Sequence, residues 1–157
     1  MTDSSDRSLP KSGRLAGIDF GTVRIGVAVS NVQQTIASPL ETYARRNEKL
    51  DAEYFAKLVA DEKIVGFVVG LPVHMSGDES EKSGQAREFG EWLVAATGVV
   101  VDWIDERYTT AFAREVLSKS GLSGKKRKAM LDKIAAQAIL SAYLESDRSG
   151  DSPVALS

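Results

Sequence analysis

A carboxylate interrupts an apolar run in Gly17-Ile18-Asp19-Phe20-Gly21-Thr22-Val23-Arg24-Ile25-Gly26-Val27-Ala28-Val29-Ser30. Residues 15–20 and 25–30 read as strands joined by a short Gly-Thr turn. A charge near the end of the first strand does nothing for a core. Two more acids, Asp105 and Glu106, follow the apolar run 99–104. A fourth, Asp132, precedes Ala136 by four residues and Ile139 by seven, a spacing that puts it on their inward helical stripe. Strands that enter a sheet in parallel end at one edge, where open α/β sheets build their sites. Acids from distant stretches of the chain therefore converge there. Converging carboxylates repel one another unless a cation offsets them, and oxygen-only donors suit Mg²⁺ or Mn²⁺. Two such ions about 3.5–4 Å apart activate a water and stabilise the leaving oxygen in phosphoryl transfer. Spacing alone equally allows caps or solvated charges, and Asp132 in isolation is an ordinary early-helix acid.

The elements that must position these acids are legible in outline. Residues 35–43 read as a third strand whose Pro39 demands an edge or a bulge. Residues 50–62 form a helix with Phe55, Leu58 and Val59 on one face. The continuous apolar run 64–70 suits a strand buried on both faces and ends before Pro72. Residues 80–97 form a helix with Ala86, Phe89, Leu93 and Ala96 in register, stopped by Gly98. Strand 99–104, a short helix at 109–119, a basic loop through 121–128 and a final helix at 129–146 complete the order. This succession predicts an α/β domain over 14–146, a mixed five-stranded sheet flanked by helices. Flexible tails are expected at 1–13 and 147–157.

The 157 residues suit one domain, with 43% hydrophobic and 27% charged residues. There is no cysteine, which excludes disulfides and thiolate metal sites. No apolar run is long enough to span a membrane, and the polar start MTDSSDRSLPKSGR lacks the apolar core of a secretory signal. A cytoplasmic protein without a membrane partner is expected. Net charge is −2, yet eight basic residues between Arg107 and Lys133 face only Glu115 and Asp132. The segment is locally strongly positive and the remainder acidic, an asymmetry that attracts phosphate.

Several residues around the acids suit nucleic-acid contact. Gly21 permits close backbone approach and Thr22 offers a hydroxyl to phosphate, with basic Arg24 beside them. Arg107 suits bidentate phosphate binding and Thr110 stands near it, while Thr109 is read as a helix cap. Lys125, Lys126, Arg127 and Lys128 directly precede Asp132 and would steer a backbone towards it. The sole histidine, His74, is read as incidental. Trp92 is assigned to the core and Trp103 to the core or a sheet face.

Four stretches in order, GIDFGTVRIGVAVS (17–30), VVGLPVHMSG (68–77), DERYTT (105–110) and LDKIAAQAILSAYLE (131–145), resemble the YqgF family, also called RuvX, the Holliday-junction-resolvase-like, pre-16S rRNA nucleases. The resemblance covers residues 14–146. It implies a ribonuclease-H-like fold and a metal-dependent site in which Asp19, Glu106 and Asp132 are the catalytic acids, holding Mg²⁺ or Mn²⁺ as two ions. It implies 5′-end trimming of precursor 16S rRNA in ribosome maturation, with RNA or a ribosomal particle as partner; separately, a monomer or weak homodimer is expected, since the sequence shows no clear dimer helix or apolar seam. Val23, His74, Met130 and Lys133 depart from the family pattern without removing an acid. Three alternatives stand beside it. A resolvase of branched DNA would require a two-fold dimer, and a ribosome-assembly factor would bind RNA without cutting it. GIDFGT also resembles the first phosphate loop of actin-like ATPases, but 157 residues cannot hold their two domains.

Overall fold

The computed structural model describes residues 9–72, 81–105, 121 and 124–156, the last ten as backbone alone. The chain runs β1 (Arg14–Asp19), β2 (Arg24–Ser30), β3 (Ala37–Ala44), α1 (Glu48–Glu62), β4 (Ile64–Leu71), α2 (Glu81–Thr97), β5 (Val101–Asp105) and α3 (Gly124–Leu156). The strands form one mixed sheet in the order β3-β2-β1-β4-β5. β1 pairs antiparallel with β2 and parallel with β4, and β5 adds in parallel to β4. The expected five-stranded sheet flanked by helices is thus formed.

Alternation along β1 explains how the sheet is covered. Ala16 and Ile18 face a core shared with Phe55 and Leu58 of α1 and Phe89 and Leu93 of α2. Leu15 faces the opposite core, where Ala136, Ile139, Leu140 and Tyr143 of α3 lie over Ala28 and Val68. Each large apolar side chain removed from water in this way contributes about 1.5–3 kcal/mol. Period 2 then places Gly17 and Asp19 on the α3 side.

α3 can reach the sheet only because two of the facing residues are glycines. A Cβ on Gly17 would stand 2.7 Å from the Ala136 carbonyl oxygen, and one on Gly26 would stand 1.9 Å from that of Asp132. Gly26 is the cross-strand partner of Asp19. The same contact that seats α3 therefore brings Asp132 over the end of β1. Side chains fasten the helix across the sheet: Thr42 donates to the Ala129 carbonyl at 2.5 Å, Gln137 to that of Ala37 at 3.0 Å, and Tyr143 to Asp102 at 3.2 Å.

Pro39 sits where the sequence requires. β3 is an edge strand, and its register against β2 slips between Val27 and Ala28, leaving Leu40 as the extra residue. Asn47 caps α1 by accepting from the Leu50 N–H, and Lys63 ends it in the left-handed region. Gly98 ends α2 at φ 74 and donates to the Val94 carbonyl.

Three expectations need correction. Residues 124–128 are helical, so the expected basic loop is the opening of α3. Its four cations oppose the helix dipole, but a long helix already seated by its apolar stripe adds a hydrogen bond for each further residue. The same propagation carries the backbone helix to Leu156, beyond the expected end at 146. At the other end, residues 9–13 are no loose tail. Leu9 is buried in the α3-side core, and buried Gln34 donates to the carbonyls of Pro10 and Gly13. The short helix expected at 109–119 and the loop at 73–79 lie outside the described residues.

Replacing Gly26 by Ala is expected to cost about 3 kcal/mol or more, because backbone of α3 must retreat. Gly84 within α2 has open space around its Cα, so Gly84→Ala is expected to stabilise by roughly 0.5–1 kcal/mol. Midpoints of urea unfolding for the two variants check both signs.

Candidate active site

Parallel pairing sets the site edge. Ile18 pairs with Val69, which places Asp19 level with Gly70, and Leu71 pairs with Asp105. The carboxyl ends of β1, β4 and β5 therefore share one edge, as the sequence predicts. Asp105 follows Leu71 to the α1–α2 side of the sheet, whereas Asp19 lies on the α3 side. Glu106, with Arg107 and Thr110, lies outside the described residues.

A cleft of about 420 Å³ opens at this edge. Asp19 and Asp132 both line it, brought together from positions far apart in the chain. Gly21, Thr22 and Arg24 form its β1–β2 rim, and Lys82 and Gln85 of α2 face them. A Cβ on Gly21 would stand 2.3 Å from the Arg24 carbonyl oxygen, so this rim is as tight as a chain allows. Ser83, fully buried, donates to the Pro72 carbonyl at 2.7 Å and ties the start of α2 to the end of β4.

The sequence reading missed two features. Lys82 and Gln85 are spaced by three on α2, flanking buried Ser83 and Ala86, and this polar pair beside an inward stripe was the available signal. The second is the partner of Asp132. The Arg24 Nε donates to Asp132 Oδ2 at 2.6 Å, with the acid's side chain 16% exposed. Arg24, expected to meet phosphate, also serves as a counter-charge to an expected metal ligand. By contrast, Lys125, Lys126, Arg127 and Lys128 are exposed on the first turns of α3 and do not line the cleft.

Among the described residues, no group of three or more acids or histidines is close enough to hold a metal. Asp19 and Asp132 supply two hard carboxylates to one cleft. That donor chemistry fits Mg²⁺ or Mn²⁺ and suits no soft metal.

A third acid organises the ground next to the cleft. Asp51, 1% exposed, accepts from the Tyr43 hydroxyl at 2.7 Å, the Arg46 N–H at 3.0 Å and Arg45 Nε at 3.2 Å. Burial pushes its carboxyl up, but these hydrogen bonds outweigh burial and hold it below the ordinary 3.8. Burial, and then donation to this carboxylate, push Tyr43 up to about 12. The Arg45 N–H also donates to the Val23 carbonyl at 2.9 Å, so the clamp braces the β1–β2 turn.

This fold and cleft define a class. The structure is similar to T. thermophilus RuvC in complex with Holliday junction substrate, with a TM-score of 0.55 at 16% identity, covering 88% of this chain and 96% of that one. It is also similar to the yeast mitochondrial Holliday junction resolvase, with a TM-score of 0.51 at 11% identity over 92% and 85% of the two chains. These likenesses are of fold, the ribonuclease-H-like fold of the resolvases. A family model described as "RuvX: Holliday junction resolvase" matches residues 13–146, and the chain belongs to the RuvX family. Relatives include a Rhodopirellula baltica protein, 42% identical over 147 residues, covering 94% of this chain and 85% of the relative. Another, from Rhodobacter capsulatus, is 40% identical over 143 residues, covering 91% and 90%. Both bear the name "Putative pre-16S rRNA nuclease".

Asp51→Asn is expected to lose about 2 kcal/mol at neutral pH, the scale of a hydrogen bond to a charged group. Because the native carboxyl is held low, its contribution is complete above 3.8 and fades as pH falls through the lower native value. Urea titrations from pH 7 to pH 2.5 are expected to show the wild type and variant converging on the acid side only.

Proposed function

We propose that the chain is a metal-dependent nuclease that hydrolyses phosphodiester bonds, with the 5′ end of precursor 16S rRNA as its substrate in the cytoplasm. The observation that carries this reading is the joint lining of one cleft by Asp19, Asp132, Arg24 and Lys82. Clustered carboxylates serve no purpose in a purely binding surface, and two cations in the same cleft complement a phosphate. Family membership and the names of the relatives support the same conclusion.

Asp19 and Asp132 would hold Mg²⁺ or Mn²⁺ together with Glu106, the acid that the resemblance supplies. The face occupied by Asp105 argues against that neighbour as the third ligand. When bound, the metal supplies an activated water and charge stabilisation at the leaving oxygen. The chain's own groups position the substrate. Arg24 shares its guanidinium between Asp132 and a phosphate oxygen, Lys82 neutralises charge from the opposite wall, and Thr22 donates at the rim. Lys125 to Lys128 lie outside the cleft and attract the flanking backbone through long-range charge.

The family description and the fold also favour a second reading, cleavage of branched DNA. One experiment separates the two: an end-labelled precursor 16S 5′ segment and a four-way DNA junction, each with Mg²⁺, Mn²⁺ or EDTA. RNA cutting that needs metal, and that falls at least about 100-fold in Asp19→Asn, is expected. Junction cutting alone would establish the resolvase reading, and full activity of Asp19→Asn would sink the metal mechanism. Converting Lys125, Lys126, Arg127 and Lys128 to Gln together is expected to weaken RNA binding and lower the slope of log K against log salt by about 2–3. Filter binding from 50 to 300 mM KCl checks this, and an unchanged slope would remove the patch from the interface.

A further inference from the structure

A second cleft, of about 380 Å³, adjoins the first and shares Phe20, Thr22 and Gln85 with it. Its volume is in the range of small-ligand pockets, about 300–1,000 Å³. Its character is different. Phe20, Phe89 and Trp92 line it in a row, with ring centroids 4.7 Å apart for the first pair and 5.5 Å for the second. The Arg45 guanidinium lies over Phe20 at 5.4 Å and Phe89 at 5.8 Å. The charges of this cleft are Arg45 and Arg46 against Glu48, Asp51 and Glu88. Arg45 is moreover engaged by Asp51 at 3.2 Å.

That balance decides what the cleft can take. Three carboxylates against two cations give no surplus positive charge, so a phosphate is better placed in the first cleft beside Arg24 and Lys82. An aromatic row with polar groups at its margin suits a flat, polar-edged ring. Aromatic side chains stack on any base, while Gln85, Glu88 and Arg46 offer acceptors and donors to its edge. We infer that the second cleft holds one unstacked nucleobase of the strand whose phosphate occupies the first cleft. This rests on the nuclease reading and extends it. The enzyme would require an unpaired nucleotide next to the cut, held by Trp92, with Gln85 at the boundary of the two subsites. The Asp51 clamp would be the positioning device, because it fixes Arg45 against Phe20, the residue that follows Asp19.

The test is equilibrium binding of a fluorescent single-stranded precursor 16S 5′ segment, with Ca²⁺ replacing Mg²⁺ and an abasic site moved one nucleotide at a time across the cut. One position next to the cut is expected to cost wild type about fivefold or more in affinity. The penalty is expected to vanish in Trp92→Ala and return in Trp92→Phe. Melting curves confirm folding, and Gln85→Ala takes the place of a Trp92→Ala that fails to fold, with a reduced penalty at the same position expected. Tight binding with a flat abasic profile in wild type overturns the base subsite and leaves the nuclease reading standing. A penalty that persists undiminished in a folded Trp92→Ala likewise overturns it. Loss of all RNA binding in wild type overturns both.

Discussion

The close approach of α3 to β1 and β2 is the constraint on which the rest depends. It is a contact of backbone against backbone, possible because Gly17 and Gly26 present no side chain to the helix. Interiors are packed too densely to absorb even one added carbon at such a distance. The contact does two jobs. It closes one of the two cores, burying Ile139, Leu140 and Tyr143 over the sheet. It also sets Asp132 above Gly26, the residue paired with Asp19. The acids of the cleft therefore come to line one cleft as a consequence of folding.

Charge is then distributed around that frame by partners rather than by solvent. Arg24 answers Asp132 at 2.6 Å, which moderates the negative charge of the cleft. Asp51, nearly inaccessible, collects three donors and braces Arg45 and the β1–β2 turn. Thus one acid pair lines the cleft while a third acid stiffens the turn at its rim. The adjoining aromatic cleft arises from the same arrangement, since Phe20 belongs to that turn and Phe89 and Trp92 to α2.

Much of this was legible from local pattern. Pro39 removes a ladder donor, and the strand bearing it is both an edge and bulged. Gly98 ends α2, and the run before Pro72 is a strand with both faces covered. The failures have physical reasons too. Four cations at a helix start contradict the dipole rule, so the opening of α3 read as a loop, but long-range packing overrode that local preference. Leu9 sits alone in a polar stretch, and nothing in its neighbours announces that it completes a core. Trp92, assigned to the core, does pack against it partly buried, and it also lines a cleft that no local pattern announces.

The sequence alone determined the kind of donor groups available, hard carboxylates at a strand end and on a helix stripe, with period-2 and 3.6 patterns that make an α/β sheet. It did so because such periodicities are local, set by how successive side chains alternate or wind. It also identified Asp19 and Asp132 as candidates, since each departs from an apolar pattern. Only the tertiary structure decided who stands beside whom. Arg24 and Asp132 are 108 residues apart in sequence, and no local rule connects them. On which face of the sheet Asp105 falls, and whether Phe20, Phe89 and Trp92 form a wall, likewise depend on register and helix seating. Those are properties of long-range packing, where a single glycine allows or forbids an approach.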